Sequence, residues 1–440
     1  MDTSPTPAPA DHHALIPERV AVIGLGYVGL PVALALSQTV QHLVGYDRSA
    51  TRVQTLAAGR DSNNETTSAD LHATRTQFSA ADRDLAGCTT FIITVPTPLD
   101  GFNRPDLGAI LSACEVIGPH VTRGAVVVLE STVYPGVTED IMGPAIEAAS
   151  GLICGQDFFL AYSPERINPG DSVNTFETIT KVVAGQTPEI TERVAALYGS
   201  VVTAGVHKAG SIRIAEAAKV IENTQRDINI ALMNELSIIF ERLDIPTRDV
   251  LEAAGTKWNF LPFSPGLVGG HCIGIDPYYL AAKAVEVGLH PEMILAGRRT
   301  NDAMSKFVAE RAIRMLTKAG LSPGHARVGV LGLTFKENVP DLRNSRVPEI
   351  VRILSEYSVQ PILFDPVGSP DDLHSHYGLA MAPPSDVSDL DMLILAVPHE
   401  AFLAEGADLM ARIREGGMLL DLKSALARDD IRPDITVWSL

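Results

Sequence analysis

At 440 residues the chain has room for two or three domains of ordinary size, and three is the working count. Hydrophobic residues make up 46% and charged ones 20%, the balance of a globular protein, and no apolar run approaches the roughly 18 residues a membrane-spanning helix needs. The formal net charge of -18 excludes a general nucleic-acid binder, which needs a basic surface, while a local cluster of Lys and Arg can still hold an anionic small molecule.

Residues 1–17, rich in Pro, Ala and Thr, carry Asp2, Asp11, His12 and His13 where a secretory leader would carry basic residues and an apolar core. They are read as a flexible tail. A β-branched run, Val20 to Ile23, then ends in Gly24-Leu25-Gly26-Tyr27-Val28-Gly29, and an apolar helical pattern follows from Tyr27 to Leu36. This is GxGxxG between a strand and a helix: its glycines permit the tight turn, the approach of a pyrophosphate to backbone, and helix-on-strand packing. A second strand, Leu43 to Tyr46, ends at Asp47, where a carboxylate can take the hydroxyls of an adenosine ribose and favours NAD over NADP. Arg48 and Arg52 leave the NADP alternative open. Strand-like runs at Thr90 to Val95, Ala125 to Glu130 and Phe158 to Tyr162 complete a doubly wound parallel sheet, a Rossmann domain over residues 18–208. The loops leaving those strands, with Pro96 and Thr97 in one and Thr132 in the next, lie where ligands of such sheets bind, although Thr and Pro are also ordinary turn residues. A third loop, Tyr162 to Asp171, crowds Glu165, Arg166 and Asn168 between prolines, which suits a polar ligand or a solvated surface.

From about Ser211 to Arg242 there is no Gly or Pro, so one long helix opens an all-α middle domain, 209–318, and bridges domains or lies between subunits. Lys219, Asn223 and Arg226 share one of its faces, at i, i+4 and i+7; a solvated face is the usual explanation of such a set. Gly269-Gly270-His271-Cys272-Ile273-Gly274-Ile275-Asp276 sets a thiol after paired glycines, with a carboxylate four positions on. Such a loop can hold out a nucleophile, and a thiol beside a nicotinamide suggests oxidation of a carbon that becomes covalently held; a lone cysteine is more often a small buried apolar residue. The other cysteines, Cys88, Cys114 and Cys154, lie far apart with no CxxC pair, so neither a disulfide framework nor a metal site is expected, and a reducing cytoplasm fits best. A second Rossmann-like segment, with strands at Arg327 to Leu333, Gln360 to Phe364, Met392 to Val397 and Met418 to Leu422, fills residues 319–440.

Taken together, GxGxxG, the Ser163-Pro164-Glu165 loop, Lys219 to Asn223, Gly269 to Cys272 with Asp276, and Phe335-Lys336 with Arg343 resemble the UDP-glucose/GDP-mannose dehydrogenase family, from about Arg19 to the carboxyl end. Lys219 to Asp227 and Pro164 to Gly170 are most similar to its branch that oxidises UDP-N-acetylhexosamines for polysaccharide synthesis. The resemblance implies two successive oxidations of the sugar C6 alcohol by NAD, with Cys272 holding the carbon as thiohemiacetal and then thioester. It assigns Asp276 and Lys219 to assisting water and stabilising the oxyanion, Glu165 to acid–base work in hydrolysis, Asn223 to positioning the substrate, and Thr132 to holding water and cofactor. Lys336 would meet the diphosphate and Arg343 the cofactor, and Arg166, Arg226 and Gly269 are further expected substrate contacts. A homodimer through the central helix is implied as well. Pro169 and His271 stand where the UDP-glucose branch has a second glutamate and usually a small residue, which points away from UDP-glucose. UDP-glucose oxidation remains one alternative. A two-electron β-hydroxyacid-type dehydrogenase and a non-catalytic nucleotide-sugar sensor are others, but both leave the Cys272 loop without a task.

Overall fold

The computed structural model describes residues 15–63, 66–167, 173–270 and 273–440. The chain divides into two compact units, Met1–Val220 and Ile221–Leu440.

The first unit is built on eight strands, β1 (Ile16–Ile23), β2 (Val40–Tyr46), β3 (Gln77–Ser79), β4 (Thr90–Ile93), β5 (Ala125–Leu129), β6 (Phe158–Tyr162), β7 (Lys181–Gly185) and β8 (Val206–Lys208). Their order is β3-β2-β1-β4-β5-β6-β7-β8, so the strand order reverses between β1 and β4. Central strands such as Ala125-Val126-Val127-Val128-Leu129 are buried along their whole length, which is why they are continuous apolar runs with no polar alternation. All neighbouring pairs are parallel except β6 with β7. That reversal departs from the all-parallel expectation and has a local cause. The described part of the connection after β6 holds no helix, so the chain re-enters the sheet from the end at which it left. With Tyr162 paired to Ala184, the first residue of β7, Lys181, emerges beside the carboxyl ends of β5 and β6.

The long helix, Ile212–Arg242, starts in the first unit and ends in the second. In the second unit, helix Glu292–Lys318 buries Met304, Val308, Ala312 and Leu316, spaced four apart on one face, in a core shared with Ile350, Val351 and Leu354 of helix Val347–Glu356. The sheet beneath has five parallel strands, β9 (Val328–Leu331), β10 (Ile362–Phe364), β11 (Leu390–Leu395), β12 (Ile413–Asp421) and β13 (Thr436–Trp438), in the order β10-β9-β11-β12-β13. The architecture is α/β, with two Rossmann-like parallel sheets and a helical middle region. No helix among the described residues is long and apolar enough to cross a membrane.

Candidate active site

In the first unit the β1 turn has the geometry its glycines require. Gly24 adopts φ +94°, and a Cβ on Gly29 would lie 1.8 Å from the Gly24 carbonyl oxygen and 2.3 Å from Thr94 Oγ1, so only hydrogen lets helix Gly29–Leu36 seat on the sheet. A Cβ on Gly26 would meet nothing within 4 Å: the turn is open on that side, next to half-buried Tyr27 and Val28. Asp47 accepts the Leu25 N–H at 2.9 Å on one oxygen and the Ser49 N–H at 2.8 Å on the other, leaving a lone pair on each. Arg52 donates to the Leu25 carbonyl at 2.9 Å and to Asp61 at 2.6 Å, and its Nη2 is buried with no partner among the described residues. An open glycine turn, an acid at the end of the second strand and an unpaired guanidinium nitrogen together fit an adenine dinucleotide.

Further along this edge the loops after β4 and β5 are stitched to each other and to the end of β6. Thr97 donates to the Thr132 carbonyl at 2.9 Å, Ser131 to the Val95 carbonyl at 2.6 Å, and Tyr162 to the Ser131 carbonyl at 3.3 Å. Pro96 beside them is exposed. Glu216, on the first turns of the long helix, is fully buried and accepts the Gly136 N–H at 2.6 Å and the Thr138 N–H and hydroxyl at 2.9 and 2.6 Å, which fastens that helix to the loop carrying Thr132. Burial pushes its carboxyl up, against the pull of those donors.

Glu165 turns one oxygen to its own following backbone, taking the N–H of Arg166 and of Ile167 at 2.7 Å each, and the other to Lys181 Nζ at 2.9 Å. Arg166 itself donates to the Thr180 carbonyl at 2.9 Å. Lys181 also reaches Glu130 at 3.1 Å, and Glu130 takes the hydroxyl of Tyr198. Burial pushes Glu130 up to about 7, opposed by Lys181. Glu165 is likewise penalised by burial, but Lys181 and the two backbone donors outweigh this and hold it below the usual carboxylate value.

The cysteine loop belongs to the second unit; His271 and Cys272 themselves lie outside the described residues, as do Asn168, Pro169 and Gly170. Its flanks are tightly held. Asn234 of the long helix, wholly buried, accepts the Gly266 N–H at 2.8 Å and donates to the Gly266 carbonyl at 3.0 Å and to Asn301 at 2.8 Å. Arg346 donates to the Val268 carbonyl at 3.2 Å, and the Gly270 N–H to the Asn344 carbonyl at 3.2 Å. A Cβ on Gly269 would sit 2.6 Å from the Asn344 oxygen, and one on Gly270, at φ +82°, 2.8 Å from the Phe335 ring. The paired glycines thus let the loop close on the chain's own Phe335 segment. Just beyond it Asp276 opens helix Asp276–Glu286 and accepts a 2.6 Å hydrogen bond from Asn223 Nδ2, both side chains buried.

Lys219 is buried one turn before Asn223 on the same helix, whereas Arg226 is exposed. Lys336 is half-buried on the loop after β9, its carbonyl accepting from Thr334, and Arg343 makes a two-point pair with Asp341 at 3.0 and 2.8 Å.

The second sheet repeats the strand–glycine–acid plan with a difference. Gly332 takes φ +80° after β9, and Asp365 follows β10 as Asp47 follows β2. Asp365 receives the N–H groups of Leu333 and Thr334 at 2.5 and 3.1 Å, of Val367 and Gly368 at 2.8 and 2.7 Å, and Nε2 of His399 at 3.1 Å. Nδ1 of His399 accepts the Asn338 N–H at 2.9 Å, which leaves Nε2 as the protonated nitrogen. Burial alone would raise Asp365, but these donors, His399 first, hold it down at about 2.

Sequence reasoning missed Glu130, Lys181, Glu216, Asn234 and Asp365. The only signal for them was polar residues at positions where the strand and helix patterns are otherwise apolar. Of the described thiols, Cys88 and Cys114 are pushed up by burial to about 11 and about 12, and Cys154 is raised by the same cause, which makes all three poor nucleophiles.

Three family models match in succession, all of the UDP-glucose/GDP-mannose dehydrogenase family: the NAD binding domain over residues 18–202, the central domain over 213–303 and the UDP binding domain over 329–428. The chain is similar to Protein CapL of Staphylococcus aureus, 51% identical over 422 residues that cover 96% of this chain and 99% of that protein. It is 50% identical over 413 residues to the UDP-N-acetyl-D-glucosamine 6-dehydrogenase of Pseudomonas aeruginosa, covering 93% and 98% of the two chains. Among solved structures, the UDP-D-ManNAc dehydrogenase of Pyrococcus horikoshii superposes with a TM-score of 0.85 at 29% identity, over 95% of this chain and 98% of that one.

Proposed function

This chain belongs to the UDP-glucose/GDP-mannose dehydrogenase family and is an NAD-dependent nucleotide-sugar dehydrogenase, and from that premise we propose that it oxidises the C6 alcohol of a UDP-N-acetylhexosamine to the uronate through a covalent cysteine intermediate. The observation that carries the mechanism is the Asn223–Asp276 hydrogen bond. It ties the central helix to the turn directly after the Cys272 loop, so a substrate-positioning amide, a carboxylate and the thiol's loop share one place in the second unit. The relative named for UDP-N-acetyl-D-glucosamine supports the substrate, and the name CapL supports a role in surface-polysaccharide precursor synthesis.

The Gly24 to Gly29 turn with Asp47, Arg52, Pro96, Thr97 and Thr132 would hold NAD, with Arg343 as a further contact, and the bound cofactor would accept a hydride, two being needed per sugar. The chain's own residues do the rest. The Cys272 thiol adds to the C6 aldehyde, because an aldehyde carbon loses hydride readily only after a nucleophile has added. The resulting thiohemiacetal is oxidised to a thioester, and water releases the carboxylate and regenerates the thiol. Overall one alcohol, one water and two NAD⁺ give one carboxylate, two NADH and three protons. Lys219 neutralises the oxyanion that develops on addition, Asp276 and Thr132 orient the water, and Glu165 accepts its proton. Asn223, Arg166, Arg226 and Gly269 position the sugar, and Lys336 neutralises the diphosphate.

The test is NADH formed per UDP-N-acetylglucosamine consumed. Two is expected for the wild type and no turnover for Cys272→Ser; a ratio of one would falsify the mechanism. A kcat/KM for UDP-glucose equal to or above that for the N-acetylated sugar would remove the substrate assignment. Exposed Ile214, Ile221, Leu232 and Ile239 recur at near-integral helical turns along one face of the long helix, which supports a homodimer through it. A monomer mass in solution would rule that out.

A further inference from the structure

Lys181 is a lysine whose side chain is only 4% exposed, and it opens β7, a strand paired on both sides, with β6 and with β8. Its ammonium lies 3.1 Å from Glu130 and 2.9 Å from Glu165, with the rings of Phe176 and Tyr198 at 4.9 and 5.0 Å. Glu130, at the carboxyl end of β5, is sealed from solvent, whereas Glu165 stands on the loop that the proposed function places in catalysis. A cluster with only a structural role would be complete with one carboxylate for the one ammonium, since an excess buried charge is unfavourable. Here two acids share one cation, so the cluster is one proton short of neutrality, and the group open to the ligand edge is joined through Lys181 to one that is not.

We infer that Lys181 and Glu130 are positioning residues for the oxidation, coupling Glu165 to a second, solvent-shielded carboxylate so that a proton gained by Glu165 shifts the Lys181 ammonium onto Glu130. The inference rests on the assignment of Glu165 as the acid–base group. Of the three charged members, Glu130 is the one whose charge is poised to change near neutral pH, because burial pushes it up to about 7. Lys181 is held protonated by both acids against its burial, and Tyr198, raised well above 10 by burial and by Glu130, stays a neutral donor. The remaining charged neighbour, Arg166, turns its guanidinium to the Thr180 carbonyl. Replacing Glu130 therefore leaves the whole ammonium to Glu165 and makes it a weaker base. Replacing Lys181 strips Glu165 of its ammonium partner and makes it a stronger one.

The experiment is the pH dependence of kcat for the full-length enzyme with saturating NAD⁺ and UDP-N-acetylglucosamine, in Glu130→Gln, Lys181→Met, Lys181→Arg and Glu165→Gln. The acidic limb is expected to move to lower pH in Glu130→Gln and to higher pH in Lys181→Met, each by about one unit, a tenfold change in Glu165 basicity. Lys181→Arg keeps the wild-type limb, and KM for the sugar changes less than about twofold in the Glu130 and Lys181 variants, since neither group meets it. Should Lys181→Met fail to fold, Glu130→Gln carries the test, because the amide keeps the Tyr198 contact and Lys181 keeps Glu165. An unmoved limb in Glu130→Gln, with Glu165→Gln strongly impaired, overturns the inference alone. Full activity in Glu165→Gln overturns the role of Glu165 and the inference with it.

Discussion

Replacing Asn234 by alanine tests whether the cysteine loop is held from the long helix. The amide makes three hydrogen bonds in a fully buried setting, two of them to the single residue Gly266. Alanine leaves the Gly266 N–H, the Gly266 carbonyl and Asn301 Oδ1 without those partners, and each buried group so stranded costs about 1–3 kcal/mol. A smaller cavity term adds to this, while relaxation of the loop and entry of water subtract, so a loss of roughly 3–5 kcal/mol is expected. For a unit of this size that lowers Tm by about 6–20 °C. A scan reads the loss as a transition at lower temperature. The assay pairs calorimetry with kcat at a temperature below that transition. There kcat falls at least about tenfold, because a displaced loop misplaces the nucleophile, while KM for NAD⁺ is unchanged. A stability loss under about 1 kcal/mol together with wild-type kcat would refute the clamp.

Two further outcomes follow from distances and charges already given. Gly29→Ala drives a methyl into the Gly24 carbonyl 1.8 Å away, so the β1 turn must open; KM for NAD⁺ is expected to rise at least about tenfold with KM for the sugar unchanged, and a variant with wild-type KM for NAD⁺ would contradict the turn geometry. Asp365, held at about 2 against an unfolded value of 3.8, contributes roughly 2 kcal/mol above pH 5. Its pKa is depressed on folding, so this contribution is present above the unfolded value and is lost as pH falls toward 2, with about half gone by pH 3. In urea titrations of wild type and Asp365→Asn, the stability gap should therefore narrow from pH 6 to pH 3, and a constant gap would show that the charge is not what stabilises.

The parts of the fold that were legible in the sequence are those whose cause is local. Val20 to Ile23 and Ala125 to Leu129 are apolar and rich in valine because they are buried on both faces, and a long stretch without Gly or Pro is a helix of 31 residues. The three-residue strands Gln77–Ser79, Val206–Lys208 and Thr436–Trp438 are too short to show a period, and their pairing is supplied by the strands beside them. The direction of β7 was illegible because it depends on where a loop returns. With it went Lys181, a buried cation on a strand for which no expectation was formed. Nothing local marks Glu216 and Asn234 on the long helix, since the partners that turn them inward lie 78 and 32 residues away. The glycines of the β1 turn were legible because a left-handed backbone and a 1.8 Å approach leave no other residue type.

Both sheets start from one design, a strand, a left-handed glycine and an aspartate after the neighbouring strand, yet they treat that aspartate differently. Asp47 keeps accepting capacity in reserve, whereas Asp365 receives five donors from its own chain, more than the roughly four lone-pair sites a carboxylate offers. A sugar hydroxyl arriving at the carboxyl-terminal sheet therefore finds no vacancy at the position that would greet it in the first. The twin folds are thus made non-interchangeable from within, since one aspartate is spent on its own chain and the other keeps room for a guest.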